Sequence, residues 1–138
     1  MNLLKNSCLV VLVIILNISC NKEQDNTTTN LLNSMLIGKT WYLDYSINGS
    51  NTKSYVGQTT YFITFFKNGT TKDSDGLSGT YSIKSLNGKY ELYVEAKTVN
   101  GNILNYTHVI ESVGSVNMVQ SYIPFGQSTK ITQYYTSK

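Results

Sequence analysis

Arginine is missing altogether from the 138 residues, and 11 lysines against 8 acidic residues leave a net charge of only +3. The lysines are scattered along the chain. Nucleic-acid readers depend on the bidentate guanidinium fork, so no nucleic-acid partner is expected. Histidine occurs once, at His108, and cysteine twice, at Cys8 and Cys20. Zinc sites draw on clusters of these two residue types, so no metal site is expected. There is no Gly-x-Ser-x-Gly elbow and no phosphate-cradling glycine loop. Asp73-Ser74-Asp75-Gly76 has the carboxylate spacing of a calcium loop, but the place where an EF-hand needs a bidentate glutamate holds Lys84. An ordinary hairpin loop is the better account. Glu91 and Glu95 would lie about 13 Å apart on one strand, beyond glycosidase spacing, and suit an outer surface. No catalytic residue and no cofactor is expected.

What is present begins with an oily leader. Met1 to Cys20 carries one positive charge, Lys5, and an unbroken apolar run from Cys8 to Leu16. As a helix that run spans about 14 Å, roughly half a bilayer core. It fits the h-region of a secretory signal rather than a membrane span. Ile18-Ser19-Cys20 resembles the lipobox of a bacterial lipoprotein precursor, with Asn17 where leucine is usual. That resemblance implies cleavage after residue 19, acyl chains such as palmitate on Cys20, and anchorage to the outer membrane. The alternative is an ordinary signal peptide with an incidental cysteine. Once Cys8 leaves with the leader no disulfide is possible, and acylation of Cys20 removes the one thiol left on an exported protein. One acyl chain holds only marginally, so several make the anchor durable. Residues 20–30 contain nothing apolar after the cysteine and are expected to be a flexible tether. Lys22, Glu23 and Asp25 resemble the charged surface-export signal of Bacteroidetes lipoproteins, and a plain solvated linker explains them too.

The remaining residues, 31–138, suit one domain with a modest core. Leu31, Leu32, Met35 and Leu36 form a short apolar helical stripe, which Asn30 can cap and Gly38 can end. The rest alternates with period two. Trp41, Leu43, Tyr45 and Ile47 share one face; Tyr81 and Ile83 another; Tyr90, Leu92, Val94 and Ala96 a third; Leu104, Tyr106, His108 and Ile110 a fourth. Four Asn-Gly pairs (48–49, 68–69, 87–88, 100–101) suit type I′ hairpin turns, whose two central residues need positive φ. The single Pro124 falls between the last two strands, where a missing donor does least harm. An antiparallel meander of about eight strands has two unpaired edges, and rolling it up removes both. The expected fold is therefore all-β: an antiparallel up-and-down barrel of about eight strands with a short N-terminal helix.

Leu36-Ile37-Gly38-Lys39-Thr40-Trp41, Ile63 to Thr70, Gly79-Thr80-Tyr81-Ser82-Ile83 and the Tyr90 to Val94 strand, taken in order, resemble the lipocalin-like domains of Bacteroidetes lipoproteins. True lipocalins carry Gly-x-Trp, whereas this chain has Gly-x-x-Trp, so the looser lipocalin-like group is the comparison. The resemblance implies a barrel that holds a small hydrophobic ligand at the cell envelope.

Aromatics are the strongest lead to a site, with 11 Tyr, 4 Phe and 1 Trp. Trp41, Tyr45, Tyr61, Phe65, Tyr81, Tyr90, Tyr106 and His108 are the candidate lining of a barrel cavity. Eight-stranded barrels are either packed solid or hold one ligand, and both remain open at this point. On the outer face, Tyr42, Phe62, Phe66, Tyr93 and Tyr134 offer a patch for a protein or glycan instead.

Overall fold

The computed structural model describes residues 26–138. Cys20, the expected leader 1–19 and tether residues 20–25 lie outside the described residues. A helix, α1, covers 26–36. Nine strands follow: β1 (Lys39–Asn48), β2 (Asn51–Ser54), β3 (Phe62–Phe65), β4 (Thr70–Asp73), β5 (Ser78–Leu86), β6 (Lys89–Lys97), β7 (Ile103–Val113), β8 (Asn117–Tyr122) and β9 (Ile131–Ser137).

All strands pair antiparallel in one sheet of order β2-β1-β3-β4-β5-β6-β7-β8-β9, and β9 returns to pair with β1. The sheet is thus closed. β2 and β3 share one edge of β1: Ser54 lies opposite Tyr45 and Phe62 opposite Tyr42. The Tyr55 N–H donates to Asp44 O and the Leu43 N–H to Tyr61 O, so residues 56–60 loop out between two halves of one broken strand. Counted this way the ring is an eight-stranded antiparallel barrel, as the sequence pattern predicts. β2 itself has no apolar signal; all four of its residues are exposed.

α1 closes one end. Gly38, at φ 72°, ends the helix in the left-handed region, and its N–H donates to Phe65 O at 2.7 Å. The Trp41 indole N–H donates to Leu36 O at 3.3 Å, and the Tyr81 hydroxyl to Asn33 Oδ1 at 3.1 Å. Leu36, Trp41 and Phe65 are wholly buried there. The helix starts well before Asn30, so residues 26–30 are helix rather than the last part of a tether. Threonine and asparagine are poor helix formers. Once the Leu36 end is docked, though, adding a residue to an existing helix costs little.

One expectation about faces fails. In β1 the register slips between Leu43, opposite Tyr135, and Tyr45, opposite Tyr134. Asp44 is the extra residue of a β-bulge, which turns every later side chain of β1 over. Tyr45 therefore points outward and stacks on Tyr134 with ring centres 4.2 Å apart. The turns also differ from expectation. Only Asn87-Gly88 has both residues at positive φ, 52° and 73°; at the other three Asn-Gly pairs the glycine alone does.

Candidate functional site

Antiparallel alternation sends two sets of turns to opposite ends. The Asn87-Gly88 turn and loops 66–69 and 114–116 lie at the α1 end. The Asn48-Gly49 turn and loops 74–77, 98–102 and 123–130 lie at the other, while 56–60 loop out of the wall opposite the middle of β1. The α1 half is packed solid with Leu36, Trp41, Phe65, Leu92, Val94 and Met118. The other half holds an open cavity of about 340 Å3. Val56, Val99, Ile123 and Phe125 stand exposed on loops outside its lining.

Three strands supply most of the wall. β7 contributes Leu104, Tyr106 and His108 by plain alternation, β8 contributes Gln120 and Tyr122, and β9 contributes Gln133 and Tyr135. Leu43 continues the wall beside Tyr135, and Tyr61, Phe62, Ile63 and Leu77 extend it, with Asp73 and Asp75 at the mouth. The His108 imidazole lies stacked on the Tyr122 ring, centres 4.6 Å apart and 14° from parallel. The Tyr106 ring approaches it at 5.1 Å and 46°. Gln120 is 1% exposed; its Nε2 donates to Gln133 Oε1 and to the Tyr135 hydroxyl, each at 3.1 Å. Among the described residues, two buried side-chain polar atoms make no hydrogen bond of ordinary geometry, His108 Nδ1 and Gln120 Oε1.

The electrostatics follow from this burial. Desolvation holds the His108 imidazole below its ordinary pKa, with the nearby Gln120 amide working the other way. The ring is thus neutral at neutral pH. Burial, with a smaller push from the Asp73 charge, raises the Tyr106 hydroxyl to about 12. Burial likewise raises Tyr135, against the Gln120 hydrogen bond. Asp73 is itself pushed up by burial, although the Leu77 and Asp75 N–H groups that its Oδ1 accepts oppose the shift. The wall is therefore neutral except for its acidic lip.

Of the aromatic residues expected to line a cavity, Tyr61, Tyr106 and His108 do so. Trp41 and Phe65 point inward but belong to the solid half, where they carry α1. Tyr81 and Tyr90 also face inward, packed against that core rather than at the cavity. Tyr45 is outside, for the reason of the bulge. Sequence reasoning missed Asp73, Gln120, Tyr122 and Tyr135. The alternation of Met118, Gln120 and Tyr122 in β8 was available as a signal; a buried glutamine is not one that composition suggests. Among the outward aromatics, Tyr42 meets Phe62 at 6.2 Å beside the Tyr45–Tyr134 stack. Tyr93 lies apart, on β6 beside Glu91 and Lys84.

No protein-family model matches this chain, and neither a curated protein nor a solved structure is significantly similar to it.

Proposed function

We propose that this protein is a membrane-anchored, lipocalin-like lipoprotein whose barrel binds a small hydrophobic ligand in the cell envelope, without catalysis. The observation that carries the binding part is the cavity of about 340 Å3 inside a closed barrel, walled by rings and aliphatic side chains with a few convergent polar groups. Cavities of that size and make-up take small organic ligands. The anchor rests on the Ile18-Ser19-Cys20 motif, with lipid on Cys20 tying the domain to the outer membrane. A carrier suits His108 better than an enzyme does: its Nδ1 makes no hydrogen bond of ordinary geometry, so no carboxylate orients the ring as a triad base.

The test is fluorescence of N-phenyl-1-naphthylamine, an uncharged apolar dye. Wild-type protein brightens it, and Leu104→Trp, which fills the mouth, weakens binding by roughly tenfold or more. The paired Tyr42→Ala and Tyr134→Ala changes on the outer wall, neither residue lining the cavity, leave it unaltered. Absence of any dye signal, or indifference to Leu104→Trp, removes the reading. The strip formed by Tyr42, Phe62, Tyr45 and Tyr134 then favours the second reading, a barrel scaffold that docks a protein or glycan through exposed rings.

A further inference from the structure

The cavity wall offers negative charge and acceptors but no cation. Among the described residues Asp73 and Asp75 are its charged lining, and no lysine lines it. Among the described residues the one ion pair joins Lys130 to Glu111, neither of which reaches the cavity. The Asp73 carboxylate is held in place, because its Oδ1 accepts the Asp75 and Leu77 N–H groups at 2.9 and 3.0 Å. Its charge is felt as far as the Tyr106 and Tyr135 hydroxyls, whose ionisation it opposes. Further in, Gln120 is almost wholly buried and lines the cavity; its Oε1 makes no hydrogen bond of ordinary geometry, and the neighbouring His108 ring is the group that feels it. A carboxylate at the lip and an unused carbonyl within both ask for donors. An ammonium group has donors only, and the faces of tyrosine rings attract cations.

We propose that the ligand is a small amine with a ring or short hydrocarbon body, its protonated nitrogen against Asp73 and its body against Tyr106, Tyr122 and Leu104. This rests on the ligand-binding reading and narrows it. Fatty acids and other anions are disfavoured, because they would meet the two aspartates with like charge and find no cation in the wall.

Calorimetry on the mature chain at neutral pH, with three matched probes, tests it: tryptamine, its alcohol tryptophol, and indole-3-acetate. Tryptamine is expected to bind roughly tenfold tighter than the alcohol, and the carboxylate most weakly. Asp73→Asn keeps a side-chain oxygen for the turn and removes the charge, so the amine should fall to the affinity of the alcohol. If that variant melts early, salt supplies the same information: rising ionic strength should weaken the amine and spare the alcohol. An amine no tighter than the alcohol, or a preference that survives Asp73→Asn, overturns the proposal. So does failure of all three probes. If the naphthylamine dye still binds in any of these cases, the ligand-binding reading stands and only the amine is lost; if the dye also fails, both fall together.

Discussion

His108 sits neutral between the Tyr106 and Tyr122 rings, and that placement decides how the fold meets acid. Burial lowers its pKa in the folded state, so the unfolded chain takes up the proton first. Above the unfolded value of about 6.5 both states are neutral and the residue adds no pH dependence. As pH falls below it, folding keeps a proton off the ring, and stability declines by at most about 1.4 kcal/mol per pH unit. Melting curves of wild type and His108→Gln between pH 8 and 5 should therefore run parallel at the alkaline end and converge or cross toward acid. Curves that stay parallel throughout would show that the imidazole titrates freely. This residue was legible because β7 alternates without interruption from Ile103 to Ile110, and a regular strand hands its inward set over to simple counting. Tyr45 was not legible, because one extra residue at Asp44 inverts the count and nothing in Leu43-Asp44-Tyr45 announces it. Asp73 was hidden differently. Asp73-Ser74-Asp75-Gly76 reads as a turn, which Asp73 does cap, while Asp73 also lines the cavity from opposite Ile63.

At the scale of an element, Gly79 shows how β5 bends to let the barrel close. It lies on the inner face between Thr71 and Ala96. A Cβ placed there would stand 1.9 Å from Glu95 O and 2.6 Å from the Ala96 Cα, so the two backbones approach more closely than any side chain permits. Glycine inside a strand marks such corners. Gly79→Ala is expected to cost on the order of 2–4 kcal/mol, since backbone rather than a flexible side chain must move. Gly114→Ala, where the nearest atom is 3.9 Å away, should stay within about 1 kcal/mol. Equal midpoints for the two in urea would refute the corner. Elements with an apolar face were recovered from sequence in kind and order, β5, β6 and β7 among them. β2 was not, because Asn51-Thr52-Lys53-Ser54 is held only by its ladder to β1 and buries nothing. The end of α1 was foreseen through Gly38; its start was not, since residues 26–30 carry no hydrophobic signal for counting to follow.

The whole molecule is a barrel with two unlike halves, which implies a gradient of local stability along its axis. At the α1 end Leu36, Trp41, Phe65, Leu92 and Met118 are buried together in the interior. Opening any one strand there exposes the entire core, so those amides should exchange with solvent only through global unfolding. Beyond that packed half, loops 55–61 and 123–130 expose Val56, Ile123 and Phe125, with fewer packed neighbours to lose. Their amides should exchange by local opening, orders of magnitude faster. Closure makes a further demand, because β1 and β9 meet through register pairs running from Trp41–Ser137 to Asn48–Ile131. In an open sheet one edge of each would face water and exchange quickly. In a closed barrel the ladder amides of 131–135 should be as slow as those of β6. Hydrogen exchange followed by mass spectrometry separates these cases on one sample. Fast exchange across 131–135 would mean the seam is not shut, and uniform protection from α1 to the mouth would mean the second half is packed as tightly as the first. A ligand that enters the cavity should then slow Tyr106 to His108 and the flanking loops while leaving the α1 half unchanged, since only the mouth has stability to gain from being filled.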